Sequence, residues 1–372
     1  MAAKPKRPRP TRKLTDEPAA ALQPTARSID APKPATRAVA VTGRASFLGR
    51  NLVRLLEEDP AIDRVVAVDI KAPASAAKKT RFYEVDLTQP SLTGGTAGAA
   101  TEARLSEIFA AERVGTLVHL AFHSSPSHAT AYAHELESVG TMHALVAARL
   151  AGVRKLVMRS STLLYGAHPS NPNFLGEHQP LRATKREPFF ADKIEAEAEV
   201  GRFVERTEGA IATVLRVAPI LGPTIASFVT RYLSQRLVLT MMGFDPLVQF
   251  VHELDALAAL KLAVDRDVPG TFNIVGEGVL PYSTILAMMG KVPLPMPHFV
   301  ARPLSRALWA TQIFDSPPNF LDFLRFLCVA DGSKAKRAMG FAPVYDIKAT
   351  IHDFLGVGAP VLDRGGRLEQ PV

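Results

Sequence analysis

The stretch "RAVAVTGRASFLGRNLVRLLEEDPAIDRVVAVDI", residues 37–70, constrains the fold more than any other part of the chain. "RAVAVTG" reads as a buried strand ending in a glycine turn, "FLGRNLVRLLEED" as an amphipathic helix, and "DRVVAVDI" as a second buried strand. The alternation continues through the strand "TRFYEVDL", a helix near 103–112, the strand "GTLVHLAF" and a long helix in "ELESVGTMHALVAARLAG". It then passes through "KLVMRSS", a helix over 191–207 and "IATVLRVAP". Repeated strand–helix–strand units with continuous apolar strands imply a parallel sheet covered on both faces. The expected class is therefore α/β, a Rossmann-type doubly wound parallel sheet, and no short internal repeat competes with it.

Past Gly222-Pro223 the alternation becomes irregular. Residues 224–248 and 277–358 hold apolar, mostly helical stretches broken by prolines, such as "VPLPMPHFVARPLSRALWATQIF". They are expected to form a smaller C-terminal substrate lobe over the sheet's C-terminal edge, where open α/β sheets bind ligands. Residues 38–223, with 249–276 returning, make the nucleotide-binding domain. "PNFLDFLRFLCV" is read as a packed part of the lobe rather than a membrane-surface helix, since it carries Asp322 and few basic residues.

At 372 residues and 47% hydrophobic content the chain can bury such a core. The net charge of +8 is unevenly placed. Residues 1–37 hold nine Lys/Arg against Asp16, Glu17 and Asp30, which accounts for six of the eight charges. That Pro-rich segment is expected to be a disordered, solvated tail, as is 359–372, and a nearly neutral body gives no case for specific nucleic-acid binding. No apolar segment follows the basic residues as a signal peptide would require, and the longest candidate span, "VAPILGPTIASFV", is broken by prolines and glycine. The lone Cys328 excludes an internal disulfide and reads as a core thiol. Together these point to a soluble, cytoplasmic protein.

In "VAVTGRASFLG", Gly43 gives the tight turn after the strand and Gly49 lets helix and strand approach closely. Ser46 fills the middle place, with a hydroxyl able to reach a phosphate. Phe47 and Leu48 open the helix whose unpaired N–H groups would receive a pyrophosphate. Asp69 ends the second strand at the spacing of a carboxylate that accepts from a ribose 2′-hydroxyl, which favours NAD. Arg44 and Lys71 keep NADP open.

These residues resemble the extended short-chain dehydrogenase/reductases, the NAD-dependent epimerase/dehydratase family, over about 38–356. "TGRASFLG" is similar to the family's TGxxGxxG loop, and Asp86-Leu87 to its adenine-contacting position. "HLA" at 119–121, with Leu120 and Ala121, resembles the fourth-strand end beneath the cofactor. "SSTLLYG", "LRVAPILGP", "FVHELDALAA", "GTFNIVG" and "DGSKAKRAMGFAP" follow in the family's order. The resemblance implies a catalytic Asn, Ser, Tyr and Lys. Ser161 and Lys193 fall on the serine and lysine, Glu137 replaces the asparagine, and Phe189 in "EPFFADKIE" replaces the tyrosine.

Phenylalanine has no proton to give, and none of the six tyrosines has a lysine four residues later. Proton transfer, worth roughly 10²–10⁴-fold, would then fall to another group. His123, just past the fourth strand, and Glu177, in "GEHQPL", are the candidates, with Ser161 orienting a carbonyl. Lys193 is expected to hold the nicotinamide ribose, and no metal is called for. The implied function is an NAD(P)-dependent oxidoreductase or epimerase-like enzyme acting on a nucleotide sugar or another hydroxyl or carbonyl substrate. The alternative is a catalytically silent NAD(P)-binding regulator or scaffold. The resemblance also implies a homodimer through the helices near 134–150 and 191–207, and the apolar lobe would equally suit a lipid-like substrate.

Overall fold

The sheet is built by strands whose side chains are apolar on both faces. In the computed structural model, which describes residues 37–73, 77–88, 97–183, 187–311 and 317–356, β1 (Ala38–Thr42) is buried along its whole length. The expected tails over 1–37, Arg37 apart, and 359–372 lie outside the described residues. Strands β2 (Arg64–Asp69), β3 (Thr80–Glu84), β4 (Val114–His119), β5 (Lys155–Ser161) and β6 (Ile211–Val217) follow in chain order. Short strands β7 (Ile220–Leu221), β8 (Leu237–Met241), β9 (Leu247–Val248) and β10 (Val251–His252) precede β11 (Gly270–Ile274). The sheet order is β11-β6-β5-β4-β1-β2-β3, and every pair in it is parallel.

Alternate residues of one strand serve opposite cores. Val39 and Val41 pack with α1 (Phe47–Glu58) and the helix Glu253–Asp265, while Ala40 faces the other layer. That other layer is α2 (Ala97–Ala111), the helical run from 130 to 150, and the helix Pro188–Arg206. Burying side chains such as Leu52 and Leu56 of α1 contributes about 1.5–3 kcal/mol each. Helix α1 begins where Ser46 Oγ accepts from Gly49 N at 3.0 Å. It stops at Asp59, which the following Pro60 holds in extended backbone.

The run over 130–150 is continuous but not uniform: α3 (Thr130–His134), a π-helical turn (Glu135–Val139), then α4 (Gly140–Leu150), all with helical backbone at the joins. Such a turn inserts an extra residue and re-aims its side chains. The next helix, α5 (Pro188–Arg206), opens on Pro188, whose fixed φ suits a first helical position.

Beyond the sheet lie α6 (Phe228–Ser234), α7 (Glu253–Asp265), β12 (Leu280–Pro281), α8 (Tyr282–Met288), β13 (Val292–Met296), α9 (His298–Ala310) and α10 (Ile347–Phe354). "VPLPM", expected within a helical stretch, is instead β13, parallel to β8. Its two prolines forbid a helix interior but suit an edge strand. "PNFLDFL" forms a 3₁₀ turn with Leu321 buried, so it packs into the structure as expected, though not as an α-helix. Cys328 Sγ donates to Thr162 O, and burial pushes the thiol up to about 12. Among the described residues no helix is long and apolar enough to cross a membrane, and no His, Cys, Asp or Glu cluster could hold a metal ion.

Candidate active site

The strand order reverses between β1 and β4, the point at whose C-terminal ends an open parallel sheet offers a ligand crevice. On one side stands the loop 43–46, on the other Leu120-Ala121. Gly43 has φ +70°, and a Cβ on it would lie 2.5 Å from the Leu120 carbonyl carbon. A Cβ on Gly49 would fall on the Gly43 carbonyl oxygen. Both positions therefore require glycine, one for its backbone conformation and both for closeness. Ser46 is turned inward. Its hydroxyl donates to Gly43 O at 2.8 Å and accepts from Gly49 N, so it stabilises the loop rather than reaching outward for a phosphate. The N–H groups of Phe47 and Leu48 carry no partner among the described residues.

Asp69 closes the loop from the side. Its Oδ2 accepts from Ala45 N at 2.7 Å and its Oδ1 from Ile70 N and Lys71 N. Asp86 accepts from Thr88 N and Thr88 Oγ1, and Leu87 is buried against the start of α4, where a Cβ on Gly140 would press on it. Beneath the crevice, His119 is wholly buried between Thr42 Oγ1 (2.7 Å) and Thr141 Oγ1 (2.8 Å). Burial lowers its pKa to about 4, so it is a neutral tie between β1, β4 and α4.

Lys193, on α5, is buried beside Glu137 on the π-helical turn. Its Nζ donates to Glu137 Oε1 at 2.8 Å and Oε2 at 2.6 Å, and lies 3.8 Å from the centroid of the Phe189 ring. Desolvation pulls the ammonium's pKa down, and the Glu137 charge opposes it. Glu137 Oε1 also accepts from His123 N at 2.6 Å. Arg159 on β5 lies close enough to repel Lys193 and attract Glu137, and its Nε is buried without a partner among the described residues.

The His123 ring lies close enough to Glu137 and Lys193 to feel both charges. Burial lowers its pKa, so its ring is neutral at pH 7, and its Nε2 is buried without a partner among the described residues. Ser161 caps the 3₁₀ turn after β5, accepting from Leu163 N. Glu177 is placed elsewhere: its Oε1 accepts from Asn273 N on β11, while its backbone oxygen accepts from Arg216. The Asn273 side chain accepts from Tyr165 OH, so Glu177 belongs to a network that seats β11.

Phe189 packs toward aromatic neighbours, Phe190, Phe228 and Phe320, at ring separations of 5.5–6.1 Å. Phe228 and Phe320 also line a cavity of about 150 Å³. Its tyrosine hydroxyls are spent on each other and on Leu239 O, and Gln249 is bonded twice to Ala330. What remains facing the cavity is almost wholly apolar.

The model of the NAD dependent epimerase/dehydratase family matches residues 39–275. The chain belongs to that family. A protein of unassigned function from Mycobacterium tuberculosis is 29% identical over 336 residues, 88% of this chain and 86% of its own. A Streptomyces protein named 3-diazoavenalumate denitrifying reductase is 31% identical, over 59% of this chain and 71% of its own. Among solved structures, UDP-glucose 4-epimerase from Thermotoga maritima, with UDP-glucose, superposes with a TM-score of 0.64 at 21% identity. That alignment covers 86% of this chain and 98% of the epimerase. Within this chain Phe189 and Glu137 enclose Lys193 from two sides. Glu137's carboxylate role and Arg159 were not legible as site features, because both depend on the π-helical turn meeting α5 and β5 in space.

Proposed function

We propose that this epimerase/dehydratase-family protein binds NAD across the β1/β4 crevice and is an oxidoreductase for a hydroxyl or carbonyl substrate with an apolar body. The observation that carries the reading is the glycine cradle, in which a Cβ at Gly43 or Gly49 has no room, at the point where the strand order reverses. Phe47 and Leu48 would offer N–H groups to the pyrophosphate, Asp69 would accept from a ribose hydroxyl, and Asp86-Leu87 would flank the adenine. The acidic Asp69 favours NAD over a 2′-phosphorylated dinucleotide. Bound there, the dinucleotide supplies or accepts hydride.

The chain's own residues divide the remaining work. His123, neutral and with a free ring nitrogen, is the group for moving a proton, and Ser161 orients the substrate oxygen. Lys193 spends its charge on Glu137, so its role is positioning, through a fixed cationic edge beside the nicotinamide ribose. Phe189 and the aromatic cavity favour an apolar substrate over the polar sugar nucleotide of the Thermotoga maritima relative. The expected homodimer through α4 and α5 belongs to this reading too: Leu150 of α4 and Val204 of α5 stand exposed.

The test is a fluorescence titration with NADH and NADPH, followed by isotope exchange from labelled NADH to a panel of aromatic and aliphatic aldehydes and ketones. The expected result is NADH binding, with exchange that His123→Ala lowers by roughly 10²–10⁴-fold while binding persists. Failure of both nucleotides to bind would end the proposal. Tight NADH binding with no exchange, and exchange gained only in Phe189→Tyr, would support the silent cofactor-binding reading instead.

A further inference from the structure

The face of the molecule formed by α6, β8, β13 and α9 is unlike the rest of its surface. Helix α9 buries only Ala301 and Ser305 of its thirteen residues. Phe299 is 79% exposed, and Val300 and Leu304 stand out beside it. Across from them Leu237 of β8 pairs in register with Val292 of β13, and both are exposed, as is Leu294. Residues 228–244 and 291–311, which supply this face, contain Arg231, Arg236, Lys291, Arg302 and Arg306 and no acidic residue. Among the described residues, Asp245 accepts from Ser283 N and Oγ, and Asp322 pairs with Arg325 at 3.5 Å.

We propose that this apolar, cationic face seats the protein on an anionic lipid surface, with α9 lying in the headgroup layer. Exposed apolar side chains interleaved with arginines on a short amphipathic helix are what such a surface binds, through burial of the one and attraction of the other. A second copy is a poor occupant: a two-fold interface would set Arg236, Lys291, Arg302 and Arg306 against their own copies. An added strand is equally disfavoured, because Pro293 and Pro295 remove two N–H donors from β13.

The face also leads inward. A groove of about 470 Å³ runs between α9 and the β8–β13 ribbon, with Leu304, Leu294 and Met296 among its walls. Phe228, Tyr232, Leu239 and Leu321 line both this groove and the apolar cavity beside Phe189. These shared side chains separate the groove from the cavity, so their movement would admit a lipid-soluble substrate toward the proposed hydride site; this clause rests on the proposed function, the docking itself does not.

Co-sedimentation of the full-length protein with phosphatidylglycerol–phosphatidylcholine vesicles, and with phosphatidylcholine vesicles alone, tests it without any nucleotide. The expected result is binding to the anionic vesicles only. Phe299→Ser with Leu304→Ser should abolish it, and Arg302→Gln with Arg306→Gln should weaken it by roughly thirtyfold, at unchanged melting behaviour. Binding that survives Phe299→Ser/Leu304→Ser would overturn the proposal, because the basic residues 1–37 alone would then account for it. So would absence of binding, or a dimer in light scattering that Phe299→Ser dissociates.

Discussion

Lys193 carries its charge almost wholly inside the protein, with Glu137 as its counter-charge and the face of Phe189 against its other side. Water is excluded from both partners, so each is tolerable only because the other is present. Breaking a pair of this kind from one side costs about 3–5 kcal/mol, since it strands a buried charge. Glu137→Gln and Lys193→Met should each lower stability by that amount in urea denaturation, while the double variant should cost less than their sum. Strict additivity would show that the two groups are not coupled. His119 gives a pH signature of its own. Its pKa is about 4 in the fold against an ordinary 6.5, so between those values the unfolded chain binds a proton that the native protein refuses. Stability is therefore full above pH 6.5 and is lost as pH falls toward 4, by on the order of 3 kcal/mol. A His119→Gln variant should have a visibly flatter stability profile over that range, whatever its stability at pH 7.

At the scale of elements, the strand–loop–helix unit at 38–58 sets the geometry of the proposed cofactor site. Gly49 lies where α1 crosses closest to the loop, and a methyl group there meets the Gly43 carbonyl oxygen. Gly49→Ala should push α1 away from β1, costing about 1–3 kcal/mol through overpacking. NADH affinity should fall with it, while the aromatic cavity in the lobe stays intact; normal NADH binding by this variant would remove the cradle from the cofactor site. This unit was legible in the sequence because its constraint is local: a buried strand, two glycines and an amphipathic run allow few other shapes. The alternation of the remaining strands was legible for the same reason. The Glu137–Lys193 pair was not, since its partners are 56 residues apart and meet only through the π-helical turn. Ser46's hydroxyl shows the opposite limit. Its partners are adjacent, but a short side chain can turn to its own backbone or outward, and spacing does not choose between them. Glu177 was drawn to the site by its motif, whereas its carboxylate bonds the N–H of Asn273 on β11.

At the scale of the molecule, the chain leaves the sheet at β6, builds the short strands and helices of 220–265, and returns as β11 beside β6, in register from Gly270 against Thr213 to Ile274 against Val217. The C-terminal segment then ties that excursion down. Asp255 on α7 accepts from Val344 N and Tyr345 N, and the Tyr345 ring stacks on His252 at 3.7 Å. His252 in turn meets Asp353 on α10 at 2.8 Å. These contacts fasten the C-terminal segment to β10 and α7, so the two are expected to unfold together. Trp309, the only tryptophan in the chain, lies on α9 with its ring tilted against His128 at 3.7 Å, so its fluorescence reports α9 and its contact with the loop after β4. Far-ultraviolet circular dichroism is dominated by the sheet and its helices. The two signals should trace one coincident thermal transition. NAD at a hundred times its dissociation constant adds about 2.7 kcal/mol to the native state and should move both curves by the same amount. An early tryptophan transition, indifferent to NAD, would mean that the lobe folds on its own and that substrate and cofactor are bound by independently melting parts.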